Sequence, residues 1–257
     1  MAHCGFDLPP KFLTNAPKFL IKALDPSEAL RTVLAAATDD PSADGPILAL
    51  DRLQFYLDAA KRQQKRIGAI RALRHKRMRA ARPRRDDGLF ADVHFYVICW
   101  TMVCKLAESV RDRLNQNASR WNVPTFSRIG EVLRPYHSEL KKRTDARDHL
   151  EHFDERLPGG KSAHKLRTPN DLLNMRNEFL TYGGNRLDIG PDSVRLLKEI
   201  VSRFQRALLH DSLEALQTTS PGDLSRLLGR AARRVRTARA ERLSRSDASS
   251  KVKGGTT

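Results

Sequence analysis

The sequence predicts an all-α fold: an up-and-down helical bundle with a small β-hairpin and flexible termini. Three observations carry this expectation. Apolar residues recur at three- and four-residue spacing through four long segments, the loops between them are mostly short, and strand-like alternation is almost absent. With 257 residues, 40% of them hydrophobic, the chain can bury the core of one ordinary domain and still leave flexible ends. No repeat at 20–50-residue spacing is visible.

Residues 1–25 contain Pro9, Pro10 and Pro17 without a sustained period, and read as an extended N-terminal arm. The helical domain is expected over 26–219. It opens with a helix from Pro26 to Thr38, with proline at its entry and Asp39-Asp40-Pro41 as its stop. After a Pro/Ser/Asp/Gly linker, Leu50, Leu53, Leu57, Ala60, Ile67 and Ile70 mark a long helix over 46–82. The most apolar element is expected over 88–116, where Val93, Tyr96, Val97, Trp100, Val103, Cys104, Ala107, Val110 and Leu114 follow the helical rhythm. A further helix spans 125–157, with a kink or break at Pro135, which lacks an N–H and crowds the preceding turn. Within the irregular stretch 161–190, Gly183-Gly184-Asn185 suits a small hairpin that sets Leu180 and Tyr182 opposite Leu187 and Ile189. Val194, Leu197, Val201, Phe204 and Leu208 define a last amphipathic helix over 192–217. Residues 220–257 read as a basic, disordered C-terminal tail. Its Arg/Ala-rich run is able to form a helix, and 244–257 has the composition of a disordered segment.

The net charge is +17, and it is unevenly placed. Residues 59–85 hold twelve Lys/Arg and no acid, while 221–257 hold ten against Asp223, Glu241 and Asp247. These two segments account for the whole surplus, so the rest of the chain is close to neutral. Such segments favour polyanionic partners. In the long helix Lys61, Arg62, Lys65, Arg66, Arg71, Arg74, Lys76, Arg77, Arg79 and Arg82 are the candidate nucleic-acid contacts. They surround the helix, so a projecting or groove-facing helix is expected. Aromatic residues are absent from 59–85 and from the tail, which points to phosphate contacts without base stacking. Deleting 221–257 is expected to weaken polyanion binding and leave the bundle folded.

Several chemistries are disfavoured. Cys4, Cys99 and Cys104 form no paired CxxC spacing, which fits free thiols in a reducing cytoplasm and no disulfide framework. The N-terminus lacks the pattern of a secretory signal, and the apolar run Val93–Cys104 falls short of the roughly 20 residues that span a bilayer, so no membrane partner is expected. Gly159-Gly160-Lys161-Ser162 resembles the end of a phosphate-binding loop, but Glu155 stands where the first glycine is required. His149 and His152 lack nearby further ligands, so neither a metal nor a cofactor is expected.

One constellation remains, in residues 143–157. Arg-x4–6-His spacing occurs three times, as Arg143…His149, Arg147…His152 and Arg203…His210, roughly the number that random placement of so many arginines gives. Asp148 directly follows the arginine of the middle pair, whereas Thr144 and Phe204 follow the other two. Arg147-Asp148-His149-Leu150-Glu151-His152 on a helix of an all-α bundle resembles the signature of the HEPN superfamily. That resemblance implies a cytoplasmic, metal-independent endoribonuclease, a homodimer in which two motif copies meet in one cleft. It also implies a toxin or phage-defence setting, with a protein antitoxin as a further partner. On this reading His152 activates the ribose 2′-OH or protonates the leaving oxygen, as its near-neutral pKa suits. Arg147 neutralises the phosphate charge of the transition state, Asp148 orients one of them, and His149 is a second candidate base. Positions 147 and 152 lie about 140° apart on an ideal helix, so a partner chain or a kink has to complete the site. The alternative is a non-catalytic helical interaction or nucleic-acid-binding module. The motif stretch also holds Asp145, Glu151, Asp154 and Glu155, and Arg147 and Glu151 have the i, i+4 spacing of an ordinary surface pair.

Overall fold

The computed structural model describes residues 26–39, 44–78, 89–120, 126–151, 174–176, 178–182, 185–217 and 219–253. The fold is all-α with one small sheet. In chain order the elements are α1 (Pro26–Thr38), α2 (Asp44–Met78), α3 (Leu89–Asn117) and α4 (Ser127–Leu133). A 3-10 turn (Arg134–Tyr136) then leads into α5 (His137–Glu151), followed by β1 (Asn174–Arg176), β2 (Phe179–Tyr182), β3 (Asn185–Asp188), α6 (Pro191–Ala215) and α7 (Pro221–Lys253). The chain divides into two compact units. One comprises residues 1–48, 111–129 and 205–257, and the other 49–110 and 130–204.

In the first unit α1 packs along α7. Leu30, Leu34, Ala35 and Ala36 are buried on α1, and Leu224, Leu228, Ala231 and Val235 are buried at heptad spacing on α7. Asp39 ends α1 in the left-handed region (φ 39°), which aspartate tolerates because its short polar side chain satisfies nearby backbone. Asp39 also accepts a 3.0 Å ion pair from Arg230, and Glu28, at the other end of α1, meets Arg236 at 3.3 Å. These two pairs make the helices antiparallel. Ser220 caps α7: its hydroxyl accepts the Asp223 N–H at 3.3 Å and donates to the Asp223 carboxylate at 2.7 Å, ahead of Pro221 at the first helical position. The expected disordered tail is therefore a helix over 221–253. Four apolar residues set among arginines are enough to seat it.

In the second unit α3 is the core helix. Val93, Tyr96, Val97, Cys99, Trp100, Val103 and Cys104 are buried. By length and composition α3 could cross a membrane over Ala91–Asn117, yet more than half of that window is buried inside the protein. Pro135 interrupts the helix expected over 125–157 and forces the 3-10 turn between α4 and α5. The sheet is a three-stranded antiparallel meander, not a two-stranded hairpin. Leu180 pairs with buried Leu187 as expected, but Tyr182 pairs with Asn185, and Ile189 continues the ladder through its N–H to the Glu178 carbonyl at 2.8 Å. Strand β1 was not anticipated, because three residues carry no readable alternation. The N-terminal arm 1–25 lies outside the described residues.

Candidate nucleic-acid interface

On α2 the apolar stripe continues into the basic half. Leu53, Leu57, Ala60 and Ile67 are buried, and Gln64 and Arg71 on the same side are half-buried. One face is thus packed, and the expectation that charge surrounds this part of the helix is corrected over 61–71. Three of the five cations over 61–71, Arg62, Lys65 and Arg66, are exposed on the opposite face. Lys61 pairs with Asp58 at 2.7 Å. Burial raises the Asp58 carboxyl, but hydrogen bonds from Lys61 and Gln54 outweigh it and hold the group below its ordinary value. Arg66 reaches across to buried Asp92 on α3 at 3.2 Å. Among the described residues Arg62 and Lys65 form no ion pair, and both side chains are exposed. Arg74, Lys76 and Arg77 continue on the helical backbone of α2, and Arg79 and Arg82 lie outside the described residues.

Exposed apolar side chains accompany these cations. Phe55 (54% exposed) and Leu73 (52%) share the outer face of α2 with Arg62 and Arg66, at offsets of seven and eleven residues from one another. Phe95, on α3, is 50% exposed. It stands three residues after Asp92, the partner of Arg66, and four before Cys99. Burial pushes the Cys99 thiol up to about 11, with the positive charge of Arg62 opposing it, which places Arg62 near that turn.

Of the three Arg…His spacings, the structure separates the arginines. Arg143 is enclosed. Its Nε and Nη2 donate to Glu139 at 3.1 and 2.7 Å, its Nη1 donates to the Asp188 carbonyl at 2.7 Å, and its guanidinium lies over the Trp100 ring. Arg203 pairs with Glu199 at 2.6 Å, and the residue that follows it, Phe204, is buried. Arg147 and Asp148 are both half-buried on α5, one turn beyond Arg143. His152 lies outside the described residues, as does the side chain of His149.

A metal is a poor fit for the one group of ligand atoms found among the described residues. Atoms of His210, Asp211 and Glu214 come within 4.8 Å of one another on α6. Arg128 already occupies the position of a cation there, bonded to Asp211 at 2.6 Å and to Glu214 at 2.5 Å. The arginines of α7 are likewise partly committed, since Arg230, Arg234 and Arg236 pair with Asp39, Asp44 and Glu28. Set against known proteins, the chain matches no family model, no curated protein and no solved structure.

Proposed function

We propose that the protein binds RNA through the outer face of α2. The observation that carries this reading is the acid-free basic half of that helix, whose packed side leaves Arg62, Lys65 and Arg66 together in solvent. Phosphate neutralisation by such residues releases counterions, so affinity should fall steeply with salt. The test is RNA binding over a salt series by wild type and the Arg62→Ala/Lys65→Ala variant. The variant should bind more weakly, with a salt slope shallower by about 1.4, corresponding to two lost contacts to single-stranded RNA. An unchanged affinity and slope would remove α2 from the interface.

A second reading, cleavage of the bound RNA, is favoured by the sorting of the arginines. Arg143 is consumed by the interior, whereas Arg147, one turn on, is half-buried and followed by polar Asp148. On this reading a cytoplasmic homodimer brings Arg147 and His152 to the ribose and phosphate without a metal. RNA incubated with EDTA should be cut by wild type and not by His152→Ala. Equal cutting by both, or none by either across diverse RNAs, rejects the mechanism while leaving RNA binding intact.

A further inference from the structure

We infer that Phe95, with Phe55, forms a base-stacking platform beside the cations of α2, so that the bound nucleic acid is single-stranded. The inference rests on the RNA-binding reading above. Its starting point is a placement that no single segment reveals: the basic stretch has no aromatic of its own, but α3 supplies one.

Arg66 is held against Asp92. Arg62 acts electrostatically on Cys99, one helical turn beyond Phe95. Phe95 lies between those two positions on α3, and half of it is open to solvent. Covering an exposed ring removes apolar surface from water and is favourable. Three occupants could do so: an apolar protein surface, a lipid surface, or a base. Charge decides among them. Arg62, Lys65 and Arg66 interrupt the apolar residues, so the patch alternates rings with cations instead of forming a continuous greasy face. That alternation matches a polymer whose bases and phosphates alternate.

The spacing is compatible with such a strand. Seven residues of helix separate Phe55 from Arg62, a rise of about 10.5 Å, within the reach of one to two nucleotides of extended chain. The Phe55 ring meets Tyr56 edge-on, with centroids 5.3 Å apart. A duplex hides its base faces in the stack, and only an unpaired strand can offer them to these rings.

The experiment uses the full chain with a single-stranded RNA carrying 2-aminopurine, its hairpin counterpart, and the variants Phe95→Ala, Phe95→Trp and Arg62→Ala/Lys65→Ala. Stacking predicts quenching of 2-aminopurine by wild type, and roughly ten-fold weaker single-strand binding by Phe95→Ala, with an unchanged salt slope. Phe95→Trp should keep both affinity and quenching, and duplex binding should not respond to Phe95. If Phe95→Ala binds like wild type while Arg62→Ala/Lys65→Ala binds weakly, the platform is overturned and the RNA-binding reading stands. If neither variant changes binding, both fall. Sedimentation velocity supplies a separate check: loss of a dimer on Phe95→Ala would assign the ring to a second copy of the chain and overturn the platform.

Discussion

The guanidinium of Arg143 lies 4.3 Å from the centre of the Trp100 ring, inside the unit that also holds the basic half of α2. An arginine is tolerated there because every side of it is answered. Glu139 supplies the charge, the Asp188 carbonyl takes a further N–H, and the indole covers the flat face. The network continues outward: Trp100 Nε1 donates to the Tyr96 hydroxyl at 3.2 Å, and that hydroxyl meets Ser193 at 2.6 Å. Residues of α3, α5, β3 and α6 are thereby tied to one point. Arg147 follows one turn along α5, so its position depends on this anchor.

Arg143→Ala should therefore destabilise the protein by about 3 kcal/mol, the lower end for breaking a buried ion pair, because Glu139 is half-exposed and water can reach it. Arg143→Lys should recover only part of the loss, since an ammonium cannot both stack on Trp100 and fork to two acceptors. Urea unfolding followed by tryptophan fluorescence checks both. A lysine variant as stable as wild type would show that charge alone, not planar geometry, holds α5.

The Arg128 cluster is asymmetric, and that asymmetry sets a pH dependence. Asp211 is buried (3% exposed) and its desolvation raises its carboxyl above the ordinary value despite Arg128, whereas Arg128 lowers that of exposed Glu214. Removing the cation in Arg128→Met leaves Asp211 charged and enclosed. The expected loss near neutral pH is about 2 kcal/mol, below the range for fully buried pairs because Arg128 is 39% exposed. A carboxyl whose folded-state pKa is raised destabilises above that pKa and is relieved as pH falls through it. The variant's deficit should shrink on acidification from pH 7 towards pH 4, as measured by thermal melts. A deficit that grows with falling pH would contradict this account. Asp211→Asn should cost less than Arg128→Met at pH 7, because it removes the charge that is expensive to bury.

The two described cysteines should be silent in the native state. Burial pushes Cys99 up to about 11 and Cys104 up to about 12, so neither carries appreciable thiolate at pH 8. Of the three thiols in the sequence, a native titration with Ellman's reagent should count at most one, and a denatured titration three. Rapid modification of two or more would mean that the α3 core opens readily.

Helix boundaries were legible wherever a strong local signal marked them. Proline and an acidic stop framed α1, Pro135 split α4 from α5, and the dense apolar rhythm of α3 announced the core. The candidate site was less legible, for two physical reasons. Spacing does not reveal whether a guanidinium points inward: Asp148 sets Arg147 apart in the sequence, but nothing there shows that Arg143 is sealed against Trp100. The basic segment holds no aromatic residue, whereas Phe95 lies on the neighbouring helix, a proximity that only tertiary packing creates. In α7 composition misled, because thirteen charged residues over 221–257 outweighed the Leu224, Leu228, Ala231, Val235 stripe.

That stripe reverses one expectation about the C-terminus. A dispensable tail could be removed without effect on folding, but α7 packs against α1, whose Leu30 and Leu34 are buried, and contributes three ion pairs to Asp39, Asp44 and Glu28. Burying Leu224, Leu228 and Val235 is worth about 1.5–3 kcal/mol for each side chain, together comparable with the entire net stability of a domain at about 5–15 kcal/mol. Deleting 221–257 should abolish or sharply lower the cooperative melting transition of the unit that contains α1. Leu228→Asp should do much the same with the charge segment otherwise intact, whereas Arg233→Ala, on the exposed side of α7, should leave the melting temperature nearly unchanged. Differential scanning calorimetry of the three proteins decides the matter. If the truncated chain melts like the full one, α7 rests on α1 without supporting it, and its arginines are then available as a second set of phosphate contacts.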